Sequence, residues 1–257
     1  MLLLHVLMLV PIEIEVCVES VASAQAAERG GAQRIELCSD LLEGGLTPSV
    51  GMIEAARAHT SIPMHIMIRP RAGDFCYDEQ ELDVMRRDIL VVKSLGVQGV
   101  VLGILDRDGN VDTVHTRQLV ELARPLSVTF HRAFDMTCDL KQALSDICST
   151  GADRILSSGG EQNCLQGAAT IASLVQAADG RIAVMAGSGI RPENAADVVD
   201  QTGVREIHVG LSTQFESPMR YRKDRVSMGK LSGREYLRSG VLEETVRALC
   251  RVLQQSS

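Results

Sequence analysis

The sequence lacks the cysteine patterns that hold small folds together. Its 7 cysteines are an odd number, and no two of them form a C-x-x-C pair. This spacing predicts neither a disulfide framework nor a structural zinc site. Unpaired thiols persist in reducing compartments, so the cysteine usage predicts a cytoplasmic location.

Basic charge and long apolar runs are also missing. The formal net charge is −7, whereas a surface that binds nucleic acid is basic, so we expect no nucleic-acid partner. Residues 1–10 are mostly apolar, but they are too few to span a bilayer and lack the features of a signal peptide. We therefore expect no membrane association. We interpret residues 1–11 as an N-terminal extension of the first strand, or as sequence upstream of a start at Met8.

Short β-rich segments alternate with helical segments along all 257 residues. The alternation predicts an α/β fold with a parallel sheet and right-handed crossovers. Eight such strands without a linker predict one closed (β/α)8 TIM barrel over residues 1–257, with an open doubly wound sheet as the alternative. We expect residues 215–239 to form a long loop over the barrel mouth before the last helix. The predicted strands cover residues 12–18, 34–39, 63–70, 99–105, 127–134, 154–159, 182–187 and 206–212.

The inward faces of several predicted strands are polar. Side chains alternate along a strand, and Ile14, Val16 and Val18 form one apolar face, which leaves polar residues to point into the barrel. A buried charge is costly unless it is paired, so we expect Glu15, Glu36 and Arg69 to form a network. The network is either purely structural or part of a site, since barrel enzymes carry their sites at the carboxyl ends of the strands.

Two kinds of candidate site follow from these positions. An inward histidine beside a carboxylate and an arginine can act in acid–base chemistry, so Glu36, Arg69 and His131 are candidate catalytic residues. Glycine-rich loops that precede a helix can hold an anion on their backbone amides, although small residues also serve tight turns. The predicted anion-binding residues are Ser158, Gly159, Gly187, Ser188 and Gly189.

Cys17 and Cys38 are candidate metal ligands. Both fall near the carboxyl ends of adjacent strands with inward parity, and neighbouring strands lie about 4.8 Å apart. Thiolates and thioethers select Cu(I), and Met67 on the third strand is close enough to contribute. The alternative is that both cysteines are small buried hydrophobic residues.

Six blocks of the sequence carry a resemblance to known proteins: EVCV (15–18), GAQRIELC (31–38), EGGLTPS (43–49), IRPRAGDF (68–75), VTFHRAFD (128–135) and SPMRYR (217–222). Through these blocks the sequence closely resembles the CutC family, the copper homeostasis proteins of bacteria and animals. The resemblance implies a TIM barrel, a cytoplasmic location and a homo-oligomer, either a dimer or a tetramer. It also implies Cu(I) binding, with ligands that match Cys17 and Cys38. Ala72 and Ser188 depart from the usual family pattern, which affects the shape of any anion site.

Two functional hypotheses result. The first is a copper homeostasis protein that binds Cu(I) through the paired cysteines of the barrel mouth and has no organic cofactor. The second is a TIM-barrel enzyme that acts on a small anionic or phosphorylated metabolite, with an indirect copper role or none. The expected partners are accordingly a copper ion or a small-molecule ligand.

Overall fold

The computed structural model describes residues 11–228 and 232–255, and the predicted extension 1–11 lies outside them except for Pro11. Strands β1 to β8 are parallel and pair in chain order, and β8 pairs with β1, which closes the barrel. The closed barrel confirms the predicted fold and excludes the open sheet. The strands are β1 (Glu13–Val18), β2 (Arg34–Leu37), β3 (Met64–Met67), β4 (Gly99–Leu102), β5 (Ser127–Phe130), β6 (Arg154–Ser157), β7 (Ala183–Gly187) and β8 (Glu206–Val209).

Helices begin and end at local signals in the sequence. The Ser20 side chain accepts a hydrogen bond from the Ser23 amide at the start of the first helix, and Gly31 ends that helix in a left-handed conformation with φ of 102°. Asp78 and Glu81 form a reciprocal capping box at the start of the third. The helices are α1 (Val21–Gly30), α2 (Val50–His59), α3 (Glu79–Ser94), α4 (Thr113–Ala123), α5 (Leu140–Thr150), α6 (Ala168–Ala178), α7 (Ala195–Thr202) and α8 (Glu243–Gln255). None of these helices is long and apolar enough to cross a membrane.

The alternation of side chains separates two environments. Outward-facing residues of the strands, such as Ile35, Leu37 and Ile66, are fully buried against the helices. Inward-facing residues are largely polar, and Glu15, Arg34 and several others are as deeply buried as the apolar core. The interior of this barrel is therefore rich in charged and sulphur-containing side chains.

An antiparallel hairpin follows the barrel. The predicted last strand, 206–212, is divided, because β8 ends at Val209 and β9 (Ser212–Glu216) pairs with β10 (Leu237–Val241) instead. The segment 215–239, which we predicted as a loop, therefore begins and ends within strands. Residues of β10 and its preceding turn line a cavity of about 1010 Å³ together with residues that follow β1 and β2, which brings the hairpin to the mouth of the barrel.

Candidate functional site

A network of ion pairs fills the amino-terminal half of the barrel interior. The guanidinium group of Arg34 donates hydrogen bonds to Glu15 and Glu13, and to the Glu206 carboxylate at 2.8 Å. Arg154 donates to the same Glu206 carboxylate at 3.1 Å. Burial opposes ionisation of Glu15, but hydrogen bonding from His208 and the charge of Arg34 hold its pKa well below the usual range. In this half of the barrel the charges neutralise one another.

Arg34, not Arg69, neutralises Glu15. Our expectation that Arg69 joins this network was wrong, because Arg34 lies directly opposite Glu15 in the β1–β2 register, whereas Arg69 follows the end of β3. The Arg69 guanidinium instead donates to three backbone carbonyls, those of Glu43 (2.7 Å), Gly45 (3.2 Å) and Gly73 (2.7 Å).

Two thiols and a carboxylate lie together near the carboxyl ends of β1 and β2. The Cys17 and Cys38 sulphurs are 3.8 Å apart, and the Glu36 Oε2 atom lies 3.1 Å from the first and 3.3 Å from the second. The register explains this arrangement, since Cys17 pairs with Glu36 across the strands and Cys38 follows two residues later on the same face. We call these three residues, with His208, the thiol cluster.

His208 completes the cluster from the last barrel strand. Its Nδ1 atom lies 2.7 Å from Glu15 Oε1, and its Nε2 atom lies 3.8 Å from Glu36 Oε2. Burial opposes protonation, but Glu36, Cys17 and Glu15 together raise the His208 pKa well above its usual value. His208 was not among the site residues predicted from the sequence. The alternation Glu-Ile-His-Val in residues 206–209 is the same signal that identified the inward residues of β1 and β2.

The two cysteines differ in acidity. A hydrogen bond from Cys38 lowers the pKa of Cys17 to about 5. Burial acts in the opposite direction, and His208 adds to the lowering. The hydrogen bond with Cys17 and burial raise the pKa of Cys38 well above its usual value, and burial raises that of Glu36. At neutral pH the two sulphurs therefore share one proton, and Cys17 is the more acidic of the pair.

An apolar wall with a thioether surrounds the thiols. Met67 and Val101 are buried and pack with Cys17 and Cys38. Gly45 closes the same wall with a left-handed φ of +93°, and a Cβ atom there would lie 3.1 Å from the Cys38 sulphur and 3.4 Å from the Met67 methyl carbon. The wall places a thioether side chain beside the two buried thiols.

The donor set fits a soft metal ion. Cys17, Glu36 and Cys38 offer ligand atoms that all lie within 4.8 Å of one another. The 3.8 Å separation of the two sulphurs allows a single ion to contact both. Thiolate and thioether sulphur select Cu(I) over hard divalent ions.

His131 lies on another side of the mouth. Its Nδ1 atom accepts a hydrogen bond from the Ala133 amide at 3.1 Å, and its ring lies 5.0 Å from that of Phe75. Burial and the charge of Arg69 lower the pKa of His131 to about 3. In the described part of the chain no hydrogen bond joins Glu36 to Arg69 or His131, so the three predicted catalytic residues are divided between two places.

The first of the two glycine-rich loops already holds a carboxylate of the chain. The Ser158 amide and hydroxyl donate to Asp135 at about 2.9 Å, and the Gly159 amide donates to the Ser157 hydroxyl at 2.8 Å. In the second loop, the Ser188 hydroxyl donates to the Gln162 carbonyl at 2.8 Å. An external anion at Ser158 would compete with Asp135. Anion binding by Gly187, Ser188 and Gly189 stays a prediction.

Known proteins resemble this chain over most of its length. The CutC family pattern matches residues 12–213. A CutC family protein of Chromobacterium violaceum is 47% identical over 243 residues, which cover 95% of this chain and 98% of that one. The copper homeostasis protein cutC homolog of Mus musculus is 46% identical over 87% of this chain and 82% of its own length. The crystal structure of CutC from Streptococcus agalactiae has a TM-score of 0.73 at 34% identity, covering 77% of this chain and 97% of that chain.

Proposed function

Since this chain belongs to the CutC family, we propose that it acts in copper homeostasis by binding Cu(I) through the thiolates of Cys17 and Cys38. Relatives from mouse and human carry the name copper homeostasis protein cutC homolog. The observation that carries the proposal is the pair of buried sulphurs 3.8 Å apart, with Met67 packed against them.

The charges of the thiol cluster suit a monovalent soft cation. Cu(I) bound to two thiolates leaves a net negative charge, which the protonated His208 beside Cys17 balances. Cys17 has a pKa of about 5 and that of Cys38 is raised, so the two sulphurs share one proton before the metal arrives. Binding should therefore release about one proton per Cu(I) at neutral pH, where two ordinary thiols would release nearly two.

The enzyme hypothesis finds less support in the same geometry. The Glu36 carboxylate is engaged with both thiols and not with Arg69 or His131. His131, with a pKa of about 3, is a weak base at neutral pH, where general-base catalysis works best with a pKa near the working pH.

Competition with a Cu(I)-specific chelator tests the proposal. We expect the wild-type chain to bind one Cu(I) per chain, and Cys17→Ser, Cys38→Ser and the double variant to lose that site. Cys164→Ser is the matched control, since Cys164 is 1% exposed, as Cys38 is, but lies outside the thiol cluster. Unchanged Cu(I) affinity in the double variant would contradict the proposal, and pH-stat titration checks the release of one proton.

We also propose that the protein is a cytoplasmic homo-oligomer, a dimer or a tetramer, as membership of the CutC family suggests. Sedimentation equilibrium over a range of protein concentrations checks the assembly, and a monomer at all concentrations would contradict it. Fractionation of cells that express the chain checks the location.

A further inference from the structure

Arg69 carries a buried charge that no carboxylate balances. The residue is 5% exposed, and no ion pair involves its guanidinium in the part of the chain that the structure describes. Two of its nitrogens donate to backbone carbonyls, but the Nε atom has no hydrogen-bond partner. A buried cation without a counter-ion is costly, so this position favours a bound anion.

His131 presents a second donor without a partner. The Ala133 amide donates to Nδ1, so the proton of the neutral ring is on Nε2. That Nε2 atom is buried, has no hydrogen-bond partner among the described residues, and belongs to a side chain that is 4% exposed. A buried N–H group left unbonded costs about 1–3 kcal/mol. A ligand acceptor at this position would recover that free energy.

Tyr77 supplies a third donor. Its hydroxyl is buried without a hydrogen-bond partner in the described structure. Burial raises the pKa of Tyr77 to about 12, and the charge of Arg69 and its close approach to the hydroxyl oppose the rise, so the two groups are direct neighbours. The hydroxyl therefore stays protonated at neutral pH and available to donate.

Two of the three donors lie beside one aromatic ring, that of Phe75. The Arg69 Cζ atom lies 4.9 Å from the centre of the Phe75 ring, and the His131 ring lies 5.0 Å from it. Tyr77 follows Phe75 by two residues in the same segment. Gly103 lies against His131, and a Cβ atom there would lie 2.5 Å from the imidazole Cε1 and Nδ1 atoms, so a glycine at this position gives the ring the room it occupies.

We propose that Arg69 Nε, His131 Nε2 and the Tyr77 hydroxyl bind the oxyanion of a small molecule, a carboxylate or a phosphate. This site is distinct from the predicted glycine-rich anion site and from the thiol cluster. The two functional regions are adjacent, because Gly45 accepts a hydrogen bond from Arg69 and faces the Cys38 sulphur. Oxyanion binding does not require the thiols, so it can be tested independently of copper binding.

Calorimetric titration of the wild-type chain with small anions tests the proposal. The anions are acetate, succinate, inorganic phosphate and sulfate, each added at constant ionic strength in chloride. We expect saturable binding of at least one of these anions. Comparison of the affinities for the carboxylates with the affinity for phosphate identifies the ligand class. Tyr77→Phe should weaken that binding about tenfold or more, since a hydrogen bond to a charged group is lost. It should leave the melting temperature of the ligand-free protein unchanged or raised, because the deleted hydroxyl has no partner.

Tyr221→Phe is the matched control, because Tyr221 is 71% exposed and lies in the segment before β10. It should bind as the wild type does. The Cys17→Ser/Cys38→Ser double variant should also retain anion binding, which separates this result from any failure of copper binding. The proposal is overturned if none of the four anions binds saturably, or if Tyr77→Phe binds as tightly as the wild type.

Discussion

Buried charges are paired differently in the two halves of the barrel interior. In the amino-terminal half, Arg34 and Arg154 each contact carboxylates. In the carboxyl-terminal half, Arg69 has only backbone carbonyls, and buried atoms of Glu36 and His131 have no hydrogen-bond partner among the described residues. The first half uses polar groups to support the barrel, and the second leaves them available to a metal or a ligand.

This difference matters because both halves look alike in the sequence. Each contributes inward acids and bases on alternating positions, and burial does not distinguish them, since Glu15 is 0% and Glu36 is 2% exposed. Among the described residues, what distinguishes them is whether a buried arginine meets a carboxylate, as Arg34 does and Arg69 does not, because each half also contains a histidine nitrogen without a hydrogen-bond partner, His65 Nδ1 in the first and His131 Nε2 in the second. The position of an unpaired buried charge is therefore the better guide to function.

The largest expected effect comes from removing an ion pair in the amino-terminal half of the barrel interior. Arg34→Leu removes the guanidinium that pairs with the buried Glu15 carboxylate and with Glu206, and it should lower the free energy of unfolding by about 3–5 kcal/mol. Urea denaturation measures the change. Arg87→Ala removes an exposed arginine paired with Asp83 and should have little effect. Equal stability of Arg34→Leu and the wild type would show that the ion network does not support the barrel.

A second prediction concerns the pH dependence of stability that His131 causes in the carboxyl-terminal half of the barrel interior. The pKa of His131 is about 3 in the folded protein, against about 6.5 for a free histidine. The unfolded chain therefore takes up this proton first as the pH falls, so His131 removes about 1.4 kcal/mol of stability per pH unit below pH 6.5. In His131→Gln this contribution disappears. The free energy of unfolding, measured from pH 6.5 to 4.5, should fall less steeply in the variant. Parallel curves would mean that His131 is protonated in the folded state.

The smallest expected effect comes from a substitution at Gly45, which lies against the thiol cluster. Gly45→Ala places a Cβ atom 3.1 Å from the Cys38 sulphur at a φ of +93°, which should cost about 1–2 kcal/mol of stability. It should also weaken Cu(I) binding, because the added carbon displaces a ligand sulphur. Gly51→Ala, where a Cβ atom meets nothing within 4 Å inside α2, is the matched control. That change should leave Cu(I) affinity intact and stabilise the helix slightly. Equal Cu(I) affinity in both variants would contradict the role of Gly45.

Much of the barrel could be predicted from the sequence. The eight strands and the inward parity of Cys17, Glu36 and Cys38 follow from local alternation, and the structure confirms the closed barrel. The hairpin of β9 and β10 was not predicted. Its strands are only partly buried and are separated by twenty residues, so neither a strong alternation nor a short turn identifies the pairing.

The sequence by itself determined which side chains face into the barrel, because the direction of a side chain depends on its position along the strand. Only the tertiary structure decided which of them meet. His208 lies 193 residues from Glu15 in the chain, and the two touch because β8 pairs with β1 when the barrel closes. Arg34 rather than Arg69 neutralises Glu15 because of the register between β1 and β2. Register and closure are set by the packing of all eight strands, and no local segment of the sequence contains them.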